Sequence, residues 1–376
     1  MQHLLTDPQT GKETTLRCNG STLVIETNTG GKIKTSSKSL ADATEARQQF
    51  IKKEWELLKK GALLRADKAA AGEPLLHLFI GGGYTGCLSF AATPQGIYVY
   101  RSNSTRDDFG TQDLLLRIDA NGALLDTVTL PGLLPWEICY DKSANQLLLD
   151  LDHCIYLYDL SAGSFIQLTH HLDEPASFAA VAAGKLAYAT HPNYYISSSS
   201  GQDRIEAVFK IQVINGSIPF CAGLSPDGQM LALHHKEDEV EIISTADGVA
   251  LRTLQLPFSM AKNLAWTADS GHLIVHEMYN KMGLHFLDAI TGEEVLYQGL
   301  TIPEYTQEVW DFCFNEDYSL LVCLQRTTAF VFDFTSKTFL YSFPVQHCVK
   351  RAEIKFIDAR RLGVRTDYGC FSIYAL

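Results

Sequence analysis

The chain has 376 residues, 46% of them hydrophobic and 10% aromatic, and carries a formal net charge of −12. This length accommodates one large closed domain with a small companion. No run approaches 18 apolar residues, so no membrane helix is expected, and the start MQHLLTDPQTGKE lacks the basic and apolar stretches of a secretory signal. Charge is divided unevenly: residues 1–70 hold twelve Lys/Arg against eight Asp/Glu, and the remainder nineteen against thirty-five. An acidic body is a poor platform for nucleic acid, which needs clustered cations, and a better one for a basic protein partner.

In chain order, residues 1–65 read as a separate α+β unit. Thr14–Cys18 and Leu23–Glu26 alternate as a hairpin around Asn19-Gly20, and Gly30-Gly31 turns into a third strand at Lys32–Thr35. A helix should follow, opened by the capping-box-like Ser39-Leu40-Ala41-Asp42 and stopped by Gly61. Its apolar flank is Ala43, Ala46, Phe50 and Leu57, joined by Ile51, Trp55 and Leu58. Lys52, Lys53, Lys59 and Lys60 occupy the other side as a solvated face. The Gly30-Gly31-Lys32 turn and the segment KSLADATEARQQFIKKEWELLKKGA (38–62) resemble the WGR domain, found in some poly(ADP-ribose) polymerases and in many bacterial proteins. The resemblance implies that fold. Where the family carries Trp-Gly-Arg, which helps grip nucleic acid, this chain has Ile25-Glu26-Thr27-Asn28.

Residues 66–74 (ADKAAAGEP) are small and polar and read as a linker. The rest is repetitive. Cys221–Leu256 contains four short strands, with Ser225-Pro226-Asp227-Gly228 turning the first pair and Ala246-Asp247-Gly248 the last. Trp136–Phe165 aligns without a gap on Trp310–Phe339, 174 residues on, which is four repeats of 43.5 residues. First-turn anchors fall at Gly96, Asn145, Gly184, Gly228, Gly271, Tyr318 and Arg361. Last-turn anchors fall at Gly122, Gly163, Gly216, Gly248, Gly292 and Lys337. Seven of one kind and six of the other imply a mainly β, seven-bladed β-propeller over 75–376 whose last blade lacks a strand. Leu75–Ile80 should supply that strand and close the ring. SPDGQMLAL (225–233) and the Asp-x-x-x-Gly turns at 159–163 and 288–292 resemble the broad WD40-like superfamily.

Two blades depart from the repeat. Arg101–Gln112 and His191–Gln202 read as insert loops between second and third strands. In such rings these loops share an end with the segments leading into each innermost strand, here Trp136-Glu137, Trp310-Asp311 and Lys350-Arg351. Trp, Tyr and Arg are the residue types that anchor interfaces. The expected partner surface is therefore Arg101, Asp107, Asp108, Trp136, Glu137, Tyr194, Tyr195, Trp310 and Asp311.

No catalytic, cofactor or metal motif is expected. The pairs His170-His171 and His234-His235 sit on strands, where neighbours point to opposite faces, and lack metal-ligand spacing. Gly81-Gly82-Gly83 is followed by no Lys-Ser/Thr, and there is no Gly-x-Ser-x-Gly elbow. Nine cysteines without a CxxC read as reduced core thiols of a cytoplasmic protein. The function expected is a non-enzymatic scaffold binding a protein partner, in a narrower form an immunity or accessory subunit. A nucleic-acid-associated factor acting through residues 1–65 and an enzyme with a site in the propeller channel stay open as alternatives.

Overall fold

The computed structural model describes residues 1–81, 87–103, 112–133, 137–152, 154–168, 176–190, 193–198, 205–210, 221–278, 283–300 and 309–376. Seven sheets follow one another around a ring. Each begins with a short innermost strand: Phe90–Thr93, Ile138–Asp141, Ala176–Ala182, Cys221–Leu224, Ala261–Trp266, Asp311–Phe314 and Ala352–Asp358. Blade five keeps three strands, its outer edge reduced to a bridge between Leu287 and Glu294.

Alternating side chains on these strands pack against the next blade. Leu147, Leu149 and Leu151 of blade two meet Tyr98, Tyr100 and Leu115 of blade one, and Val322 and Leu324 of blade six meet Ile354, Leu362 and Val364 of blade seven. The last turns are made as the repeat demands. Asp159, Asp288 and Asp333 accept backbone N–H groups of their own turns, and Gly122, Gly163, Gly248, Gly292 and Lys337 all take positive φ.

The N-terminal strands are β1 (Gln2–Thr6), β2 (Glu13–Asn19), β3 (Thr22–Thr29), β4 (Lys32–Ser39) and β5 (Leu63–Arg65), with helix α1 (Ala43–Leu58) between the last two. Asp42 caps α1 by accepting the Glu45 N–H at 2.8 Å, while the Glu45 carboxylate accepts the Ala41 N–H. The capping box thus sits three residues beyond Ser39. β1 and β5 are additions to the three strands the sequence announces.

Ring closure follows the expected route. β6 (Pro74–Phe79) pairs antiparallel with Cys370–Ala375, from Cys370 opposite Phe79 to Ile373 opposite Leu76. β6 also pairs with β5, and β5 with β1, so blade seven and the N-terminal strands form one nine-stranded sheet. Residues 66–74 therefore do not hold two bodies apart. Gly72 N–H donates to Ala375 O, Ala375 N–H to Glu73 O, and Ala66 N–H to Leu75 O. Cys370 of the propeller packs in the same core as Leu5, Leu16, Phe50 and Leu58. The expected boundary is one of sequence repeat, not of packing.

Candidate functional site

The segments leading into innermost strands meet at one end of the ring, as expected. At their centre is Lys355. Its ammonium lies 3.0 Å from the Glu137 and Glu353 carboxylates and donates to the carbonyls of Phe90 (2.9 Å) and Ile138 (3.0 Å). Ser89 links the same groups, donating to Glu353 at 2.9 Å and accepting the Ile138 N–H at 2.8 Å. Blades seven, one and two are thus joined by one charged network. Although burial pulls the other way, the two carboxylates carry the Lys355 ammonium above its ordinary value.

Asp311 belongs to the next junction. One of its oxygens accepts the Ile354 N–H of blade seven at 2.8 Å and the other accepts the Phe312 N–H. Burial, with the Glu353 carboxylate nearby, pushes its carboxyl up to about 7. Trp310 is half-buried, its carbonyl accepts from the Lys262 ammonium, and among the described residues its buried indole Nε1 has no partner. Asp311 and Trp310 are therefore parts of a blade junction before they are contact groups. At this end Glu137, Arg101, Lys350 and Arg351 are exposed, and Asp367 accepts the N–H groups of Val349, Lys350 and Arg351. The surface here is of mixed sign.

Other expected residues are placed differently. His191–Gln202 is not an insert loop: Asn193–Ser198 is the third strand of blade three, paired on both edges. The alternation around the buried Ile196 decides it. Tyr195 stacks on Tyr188 within the sheet at 5.1 Å, and Tyr194 lies on the same strand, opposite Phe209. Trp136, Asp107, Asp108 and the side chain of Tyr194 fall outside the described residues. The base of the blade-one loop is tied by Asp113, which accepts from Ser102 Oγ (3.1 Å), Asn103 N–H (2.8 Å) and the Tyr100 hydroxyl.

A second cluster has no counterpart among the expected residues. Where α1 meets the ring, the Glu54 carboxylate is fully buried between His3 Nδ1 (2.5 Å) and His347 Nε2 (2.9 Å). His77 of β6 stands edge-on to His347, ring centres 5.1 Å apart, with its Nδ1 2.7 Å from Ser372 Oγ. Burial, only partly opposed by the Glu54 carboxylate, lowers His77 to about 3. For Glu54 burial works upward, but the hydrogen bonds of His3 and His347 hold its carboxyl well below the usual range. One signal for this cluster is in the sequence: Ala46, Phe50, Glu54 and Leu58 are the buried stripe of α1 at four-residue spacing, with an acid where the pattern asks for a hydrophobe.

No family model matches the chain, and no curated protein matches it. Among solved structures 1465 chains match, a breadth that speaks for architecture and not for role. One is a chain in the crystal structure of the mitotic checkpoint complex, at 13% identity and a TM-score of 0.62, over 83% of this chain and 96% of that one. The chain shares its β-propeller fold with it.

Proposed function

We propose that the chain is a non-enzymatic, cytoplasmic interaction scaffold that takes a protein partner on the lead-in end of the ring. The observation that carries this reading is the convergence there of Glu137, Arg101, Lys350 and Arg351, exposed around a network that already fixes the main chain. A rigid rim of mixed charge suits a partner that presents complementary ions. The similar solved chain belongs to a complex by its description, which supports protein partners in general. An immunity or accessory subunit masking a basic partner is the narrower form, resting on the acidity of residues 71–376.

Two alternatives each have one observation. For nucleic acid it is β4, whose Lys32, Lys34 and Lys38 are exposed on the free edge of the large sheet. The succession β2, β3, β4, α1 also supports a WGR-like reading of residues 1–65, with Glu26-Thr27-Asn28 at the signature position. Lysines on an edge strand equally deter edge-to-edge pairing. For an enzyme it is the near-neutral carboxyl of Asp311, yet both its oxygens are engaged by backbone N–H groups. The test is affinity capture from native extract with wild type, Glu137→Arg/Arg351→Glu at the rim, and Glu316→Lys at the opposite end. With melting temperatures matched, the rim pair should lose the partner and Glu316→Lys should keep it. Full retention by the rim pair sinks the proposal.

A further inference from the structure

We propose that Glu54, His77 and His347, with His3 beside them, form a structural site for one zinc-class divalent ion that ties α1 and β1 to the propeller. Glu54, His77 and His347 each offer a ligand atom within 4.8 Å of the others, and all three are buried. They come from α1, from β6 and from the connection between blades six and seven, so an ion here crosslinks parts of the chain nearly 300 residues apart. Tetrahedral zinc with bonds of about 2.0–2.1 Å places its ligands roughly 3.4 Å apart. With its ligand atoms within 4.8 Å of one another, the cluster needs to tighten by up to roughly 1.4 Å.

Hydrogen bonding prepares the site. Ser372 Oγ occupies Nδ1 of His77, and among the described residues the buried Nε2 makes no well-formed hydrogen bond, with the Gln346 side chain beside the ring. A ligating histidine is held in this way, its other nitrogen fixed by an outer hydrogen bond. Among the described residues His3 Nε2 and His347 Nδ1 are also buried without partners. With Nε2 of His347 on the ion, its ring N–H sits at that Nδ1. Orphaned nitrogens of this kind are costly in a core unless something claims them. Imidazole nitrogens with one carboxylate suit zinc and its neighbours, whereas calcium and magnesium demand six or more oxygens. Enclosure on all sides makes the site structural and not catalytic.

The test uses the full-length protein stripped with chelator and titrated with cobalt(II), then zinc(II). Expected are saturation at one ion per chain, the visible bands of four-coordinate cobalt, and a higher melting temperature with zinc. His77→Gln and His347→Gln should each abolish the bands. Ser372→Ala should weaken binding by about 10–100-fold. His234→Gln, at a buried histidine whose two nitrogens already meet Glu239 O and Ala261 N, should change nothing. Should the ligand variants misfold, Ser372→Ala and the wild-type titration decide. No saturable uptake by stripped wild type overturns the proposal, and so does an unaltered cobalt spectrum in the folded variants.

Discussion

The lead-in end of the ring and the junction beneath α1 both withdraw charged groups from water, but they are built by different means. At the lead-in end Lys355 meets Glu137, Glu353 and Ser89 because consecutive blades repeat the same strand beginnings around an axis. Every charge has an opposite charge or a carbonyl, and about a fifth of the Lys355 side chain stays exposed. Beneath α1, Glu54 meets His3, His77 and His347 because one sheet runs from the propeller into the N-terminal strands. There, among the described residues, three ring nitrogens lack well-formed hydrogen bonds. The Lys355 network is satisfied within the repeat, although among the described residues the Trp310 indole at the same end has no partner. The join between unlike units gathers three such ring nitrogens around one carboxylate, and that is where a ligand can enter.

The largest test attacks the strand both regions depend on. Deleting 370–376 removes Phe371, Ile373 and Tyr374, all fully buried, and unpairs β6 from the ring. Losses of about 3–5 kcal/mol for each of the two large aromatics, before the unpaired strand is counted, are comparable with the whole stability of a domain at about 5–15 kcal/mol. Circular dichroism melts should show loss of cooperative unfolding for the whole chain. A wild-type melt would refute closure by Cys370–Ala375.

Next comes a direct comparison of the two regions. With chelator present, Glu54→Ala leaves His3 and His347 without their acceptor in a dry site and should cost about 3–5 kcal/mol. Lys355→Met at the lead-in end leaves its two carboxylates partly hydrated, for a cost of about 1–3 kcal/mol. Urea titration of both variants measures the difference. Equal costs would mean that enclosure does not separate the regions.

How far the molecule was legible follows the same division. The repeat announced the seven blades, the closing strand and most of the left-handed turn residues (Ser270 takes the place of Gly271, and Arg361 is not left-handed), because each depends on a few neighbours in sequence. The third strand of blade three was mistaken for an insert because the Gly and Ser residues beyond Asn193–Ser198 masked its alternation. β1 and β5 were missed because they are short edges whose partners lie elsewhere in the chain. Asp311, expected as a contact residue, serves as a tie between blades six and seven. The His–Glu cluster was invisible apart from Glu54 breaking the buried stripe of α1, since no local spacing relates residues 3, 54, 77 and 347.

Acidity sharpens the account of the lead-in end. The Nε2 of His276 lies 2.7 Å from Val309 O, and burial with Lys262 nearby lowers its pKa to about 4. Between pH 6.5 and about 4 the unfolded chain binds this proton and the folded chain does not, so stability falls as pH falls. Asp311 acts oppositely. With its carboxyl raised to about 7, its contribution is full below about pH 4 and is lost as pH rises towards 7. Asp311→Asn should therefore steepen the acid-side loss, and His276→Gln should flatten it, in denaturation curves taken from pH 4 to 7. The reverse pairing of slopes would remove the assignment of these two groups.

The smallest expected effect tests the repeat itself. Gly163 and Lys337 stand 174 residues apart at equivalent turns, with φ of 64° and 56°. A left-handed backbone costs an L side chain about 1 kcal/mol or more, which glycine avoids. A Cβ on Gly163 would meet nothing nearer than the Tyr158 hydroxyl at 3.8 Å, so Gly163→Ala should cost about 1 kcal/mol from the backbone alone. Lys337 offsets its strain with an ammonium that donates to Phe334 O at 2.6 Å and lies over the Phe334 ring. Lys337→Ala and Lys337→Gly lose those contacts equally, so their difference isolates the backbone. Lys337→Gly should be more stable than Lys337→Ala by about 1 kcal/mol, matching Gly163→Ala with opposite sign. If alanine equals glycine at 337 while Gly163→Ala is costly, the two turns are not equivalent and the alignment of blades two and six fails at its last strand.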